Sequence, residues 1–299
     1  MTGSTTPPIW EAQNSDASIR LLAAQRQTYS DAKALHFARV SIVATAGSLI
    51  TISTFFLHPF RPVVGAVAGF TLLILSITSS SREKRKIESA AAMQEQFDTS
   101  IFRIPWPGTV RLNKPSAADV ARASLRHRGS NLENWYSLNA SIARPLDILI
   151  CQRANLGWGI ATHRSWAALN LWIGITLFTA ITCAAILFRL SLLEATVGVY
   201  APLTPTFKEL IDAWLKNSQS AKLKEEVDSE AARLWNSAIK SKRPPSDSQC
   251  RRLQDRILES RLTGALIPDW FNALLRQREE SVMRMGTDDY VSQSLEAGF

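Results

Sequence analysis

Cysteine is scarce in this 299-residue sequence, and the three that occur, Cys151, Cys183 and Cys250, have unrelated spacings. That excludes a disulfide scaffold and a cysteine-based metal site, and it fits a reducing compartment. The four histidines, His36, His58, His127 and His163, are scattered and form no H-E-x-x-H pair. No serine occupies a G-x-S-x-G elbow, and Gly157-Trp158-Gly159 is only a fragment of a phosphate loop. Glu225-Glu226, Glu279-Glu280 and Asp288-Asp289 lie in charged helical sequence, where a solvated surface is the simple role. A protein without catalytic residues, metal or cofactor is expected. No alternating strand pattern of useful length appears, so the chain is expected to be all-α. Residues 99–106 are the one extended candidate, a strand or a loop.

Charge is also missing, but only in places. Residues 40–79 hold one charge, Arg61, and residues 166–207 hold only Arg189 and Glu194. The mean hydropathy of −0.03 therefore averages two kinds of segment. Residues 40–57 (VSIVATAGSLITISTFFL) and 63–79 are uncharged and are separated by His58-Pro59-Phe60-Arg61-Pro62. At a helical rise of ~1.5 Å per residue, each approaches the thickness of a hydrocarbon layer. They are read as a transmembrane hairpin. Residues 166–188 form the clearest span, between Arg164 and Arg189. Residues 190–207 are weaker, because Glu194, Pro202 and Pro205 interrupt them. The fold expected is an all-α membrane protein, with four transmembrane helices in two hairpins and a helical cytoplasmic region.

The net charge of +8 supports that layout. Arg26, Lys33, Arg39, Arg82, Lys84, Arg85, Lys86, Arg153, Arg164, Lys208 and Lys216 flank the runs on one side, against Arg61 and Arg189 on the other. By the positive-inside rule both termini and the 80–165 loop are cytoplasmic. The first run begins too late, and lacks a small-residue cleavage site, for a signal peptide. The expected organisation is a cytoplasmic amphipathic helix in 1–39, hairpins in 40–79 and 166–207, a basic loop domain in 80–165 and a helical region in 208–299. Within these, Ser116 and Asp119 read as the start of a helix over 116–128. Pro244-Pro245-Ser246 divides the C-terminal helices, which continue over about 249–262 and 270–285.

Several polar features within this frame invite a function. Gly65 and Gly69 form a G-x-x-x-G pair, suited to packing within one chain or between copies. Ser41, Thr45 and Ser48 share a face, as do Thr176, Thr179 and Thr182. Such stripes either line a water path or bond back to their own helix. Glu194 is the acid inside a candidate span, functional by position or simply interfacial. The 80–165 loop carries +6 of the net charge, with Arg103, Arg111, Lys114, Arg122, Arg126, Arg128 and Arg153 interleaved with Trp106, Trp135, Tyr136 and Trp158. Arginine forks suit phosphates and aromatic faces suit bases, while anionic lipid headgroups would suit the same loop. DNA is not the expected partner.

Four blocks are distinctive together: residues 21–29 (LLAAQRQTY), 94–99 (QEQFDT) running to Ile104-Pro105-Trp106, 151–158 (CQRANLGW) and Pro268-Asp269-Trp270-Phe271. In this order, with the two-plus-two layout, the chain resembles the SMODS-associated four-transmembrane effectors of CBASS-type anti-phage systems. The resemblance covers nearly the whole chain. It implies a homo-oligomeric pore-forming effector of the bacterial inner membrane. A cyclic di- or oligonucleotide from a partner nucleotidyltransferase would activate it, causing abortive infection. It brings no catalytic residues and no established ligand-contact motif. The expected ligand residues, Arg103, Trp106, Arg122, Arg126, Arg128, Arg153 and Trp158, therefore rest on chemistry alone. A membrane-anchored scaffold and a ligand-independent channel or toxin are the rival functions.

Overall fold

The computed structural model describes residues 7–54, 60–78, 80–108, 112–138, 142–157 and 159–299. Among these there is no strand, and all the regular structure is helical. Ten α-helices follow in order: α1 (Ile9–Ala12), α2 (Asp16–Thr54), α3 (Arg61–Thr78), α4 (Ser80–Phe102), α5 (Ala117–Ser124), α6 (Leu146–Gly157), α7 (Ile160–Leu187), α8 (Ala201–Ser241), α9 (Asp247–Leu262) and α10 (Asp269–Glu296). A π-helical segment, Glu194–Tyr200, leads into α8. His58, Arg111 and Trp158 lie outside the described residues.

Among the described residues, two stretches are long and apolar enough to cross a membrane, Asp16–Ser53 and Leu146–Leu187. In their most apolar windows only 17% and 11% of residues are buried by the rest of the chain, unlike the core helices of a soluble fold. Ile42, Leu49, Val67, Phe70, Trp172 and Ile186 all point outward. So large an exposed apolar surface calls for an apolar surrounding. The second run gives a shorter apolar helix, Val63–Ile74. The fourth, after a turn at Phe188-Arg189, is helical from Leu192 through the π segment into α8, and is not among the stretches long and apolar enough to cross.

That fourth run is the most enclosed of the four, which explains its weak apolar signal. It packs against α2 and α3, and α8 continues alongside α7. Pro202 and Pro205 lack the N–H groups that would close their helical turns. In π register Pro202 would bond Val197, and in α register Pro205 would bond Ala201. Those are the carbonyls that Gly65 and Gly69 face. A Cβ on Gly65 would overlap the Val197 oxygen, and one on Gly69 the Ala201 oxygen. Gly47 of α2 lies against the Pro202 carbonyl in the same way, and the Thr51 hydroxyl donates to the Val199 carbonyl at 3.3 Å. The G-x-x-x-G pair thus closes an intrachain contact. Gly65→Val is expected to force α3 off this segment and lower the unfolding temperature in detergent by several degrees. Gly286→Ala, in open space within α10, should not lower it.

Outside the apolar bundle, the helices form a polar-surfaced body. The charged half of α2 pairs with α4, α5 lies across α2, and α6 is wrapped by α8, α9 and α10. Helix α6 is buried almost all round, through Leu146, Ile148, Leu149, Ile150 and Leu156. With Leu22, Phe97, Phe102, Leu138, Trp235 and Leu253 it forms one core. Each such side chain contributes about 1.5–3 kcal/mol on burial. Ser116 caps α5 by accepting from the Asp119 N–H, and Ser246 and Gln249 form a capping box at α9. Residues 99–102 complete α4, so the extended candidate is a helix end followed by irregular chain. Cys151 and Cys250 are buried in the body, and Cys183 is exposed on α7.

Candidate functional site

Two buried charge clusters organise the molecule. The first joins the apolar bundle to the body. Arg39 comes from α2, one residue before its apolar half. Its Nε donates to Glu83 of α4 at 2.8 Å, and its Nη1 to Glu209 of α8 at 2.5 Å. The Ser76 hydroxyl of α3 donates to the same Glu209 oxygen at 2.5 Å, and His36 Nδ1 lies 2.9 Å from Glu83. Four helices therefore meet at one arginine whose side chain is 10% exposed. Burial alone would raise the Glu83 carboxyl, but hydrogen bonds from His36 and Arg39 hold it below its ordinary value. Glu209 is held low in the same way by Ser76 and Arg39.

The second cluster lies inside the body. Glu95 and Asp98 of α4 are fully buried. Arg251 lies 2.7 Å from Glu95, and Arg261 lies 2.6 Å from Asp98. Gln254 donates to both carboxylates, and the Tyr136 hydroxyl donates to Asp98 at 2.7 Å. Gln152 reaches Gln254, and Asn155 donates to the Tyr136 hydroxyl. Burial leaves Glu95 above its ordinary pKa despite Arg261 and Arg251. Burial also disfavours charge on Arg261, but Asp98, Tyr136 and Glu95 more than offset it and raise its pKa.

The sequence singled out neither cluster. In the sequence Arg39 is only a flanking charge, and residues 94–99 are only a distinctive block. The available signal was the mixing of acids and amides with Phe97, Ile101 and Phe102 on α4, which a solvated face would not tolerate.

The expected ligand residues occupy several places. Arg126 makes a two-pronged pair with Asp31 of α2, at 2.7 and 3.2 Å, and Arg122 pairs with Asp119 at 3.5 Å. Arg103 and Arg128 are exposed, and Arg103 sits at φ 56°. The Trp106 indole donates to the Leu112 carbonyl. Arg153 is half-buried elsewhere, 3.5 Å from Asp228 and over the Tyr290 ring at 4.2 Å. The structure brings Arg122 and Arg126 to one end of α5 but leaves Arg153 on the α6 side. Trp158 lies outside the described residues.

Of the residues expected to pack or line a pore, Ser41, Thr45, Thr176 and Thr179 are exposed and Ser48 is partly so. Thr182 bonds back to the Phe178 carbonyl and lies 2.6 Å from the Tyr200 hydroxyl. Glu194 accepts from the Ser191 N–H and hydroxyl, while its own N–H lies 3.3 Å from the Ser191 oxygen. That exchange caps the helical segment re-entering the bundle. Among the described residues no cluster of His, Cys, Asp or Glu could hold a metal ion.

Comparison with known proteins identifies the family. Residues 7–290 match the family described as the SMODS-associating 4TM effector domain. A Bacillus cereus (strain VD146) protein described as a probable CBASS effector molecule is 28% identical over 292 residues, covering 91% of this chain and 95% of that protein. No solved structure matches. With the match spanning nearly its whole length, the chain belongs to the SMODS-associating 4TM effector family.

Proposed function

We propose that this chain is a membrane effector of CBASS-type anti-phage defence, which a cyclic oligonucleotide switches into a state that permeabilises the bacterial inner membrane. The family match and the named relative support the defence role. In this reading all four apolar runs lie in the bilayer, with both termini cytoplasmic. The observation that carries the switching role is the continuity of α2. One 39-residue helix holds Asp31, bonded to Arg126 of the basic loop, then Arg39 at the junction, then the first apolar run. A phosphate that takes Arg126 from Asp31 would act on a rod that enters the membrane. Arg103, Arg122 and Arg128 would supply the remaining charge. Moving a 1:99 equilibrium to 99:1 needs ~5.5 kcal/mol of differential binding, within reach of several arginine–phosphate contacts. Four helices enclose no wide channel, so the open state is an assembly of several copies.

Reconstituted protein is expected to release trapped dye from liposomes when one member of a panel of cyclic di- and trinucleotides is added. Arg122→Ala with Arg126→Ala should lower that release at equal protein level. Release without nucleotide would favour a ligand-independent toxin. No release with any member would favour a membrane-anchored scaffold.

A further inference from the structure

Helices α7 and α8 together line two adjoining spaces. The inner one, about 280 Å³, is lined by Gly174 and by apolar side chains including Phe178, Phe207 and Ile211. Its one polar residue, Asn170, has its amide committed to the Trp166 carbonyl at 2.8 Å. The outer space, about 390 Å³, is bounded by Arg164, Lys222 and Glu225, with Ala167, Ala168 and Ser218 between them. Leu171 and Trp214 line both, so the two spaces form one groove with an apolar and a charged end.

The order along the helices matches a bilayer. At ~1.5 Å per residue, Asn170 lies ~9 Å and Phe178 ~21 Å beyond Arg164 along α7. The apolar end thus lies toward the bilayer interior, and the charged end toward its surface. Trp214 stands at the boundary, where an amphipathic ring is favoured. Small residues on both helices open the charged end. Arg164 pairs with Glu225 there, while Lys222 has no ion pair among the described residues, so the rim carries one net positive charge.

We propose that this groove holds an anionic phospholipid of the cytoplasm-facing leaflet. Its acyl chain lies along Gly174, Phe178 and Phe207, and its phosphate sits between Arg164 and Lys222. The inference rests on the reading that α7 spans the bilayer with Arg164 at the cytoplasmic face. A zwitterionic lipid would fill the apolar end equally but leave the rim charge unmatched. A free phosphate would gain nothing from the apolar end.

The test is native mass spectrometry of full-length protein from nanodiscs of equimolar phosphatidylglycerol and phosphatidylcholine. The wild type should retain phosphatidylglycerol in preference, and soluble glycerol phosphate should not displace it. Arg164→Ala with Lys222→Ala should cut that preference roughly 10-fold or more. Gly174→Leu, which fills open space beside Leu210, should cut retention of both lipids while leaving the cations in place. Equal retention of the two lipids by the wild type, or an unchanged preference in the double variant, overturns the site. Carbonate extraction of the same samples separates the two readings. Protein held in the membrane without lipid preference sinks the lipid site alone, whereas protein released by carbonate sinks the span as well.

Discussion

Arg39→Ala is expected to cost about 3–5 kcal/mol, because it strands two buried carboxylates rather than removing one favourable pair. Glu83 and Glu209 have side chains only 10% and 6% exposed, and Arg39 is the cation that bridges them. Lys208 lies 3.7 Å from Glu209 but is itself one-third exposed, so it replaces little of what is lost. At roughly 2–4 °C per kcal/mol for a chain this large, the unfolding midpoint in detergent should fall by about 10 °C. Adding Glu83→Gln and Glu209→Gln to Arg39→Ala should recover part of that fall, since the stranded charges are then gone. A midpoint within a degree of wild type would mean that water reaches the junction.

Arg261→Met should be comparably damaging inside the body. Glu95 and Asp98 lie three residues apart on one face of α4, and neither is exposed. Their mutual repulsion is offset by Arg261 and Arg251 together with the Gln254 amide. Taking away Arg261 leaves two like charges and one guanidinium, at a cost again of about 3–5 kcal/mol. Arg261→Met with Asp98→Asn should be more stable than Arg261→Met alone. A double-mutant cycle read by thermal unfolding gives the coupling, and a coupling near zero would refute the pairing.

The apolar runs and helix punctuation were legible in sequence because their signals are local. Ser116 caps α5, Pro244-Pro245 ends α8, and residues 166–188 fall almost wholly within α7. Helix α10 runs past residue 285 to Glu296, because Thr287 and Ser294 turn inward there, which a count of charges does not reveal. Helix α6 was hidden for a related reason. A helix buried on all sides has no polar face to set its period, and Asp147 and Gln152 interrupt its apolar pattern.

The charge clusters were least legible. Glu95 and Arg251 are 156 residues apart, and each alone reads as one more charge on a solvated helix. Yet three of the four distinctive blocks bear on the folded body. Residues 94–99 supply both buried acids and residues 151–158 supply Gln152 and Asn155. Leu21 and Leu22 of the first block enter the adjoining core.

The scarcity of cysteine has a practical side. Burial pushes the Cys250 thiol up to about 12, and Cys151 is equally enclosed, so neither offers a thiolate at neutral pH. Cys183 is exposed, 19 positions along α7 from Arg164, or ~28 Å at helical rise. The unaltered protein therefore carries a single attachment point for a spin label or fluorophore, which the proposed orientation would put near the far side of the bilayer. Insertion depth, and any change in it when a ligand binds, can be read without engineering a residue.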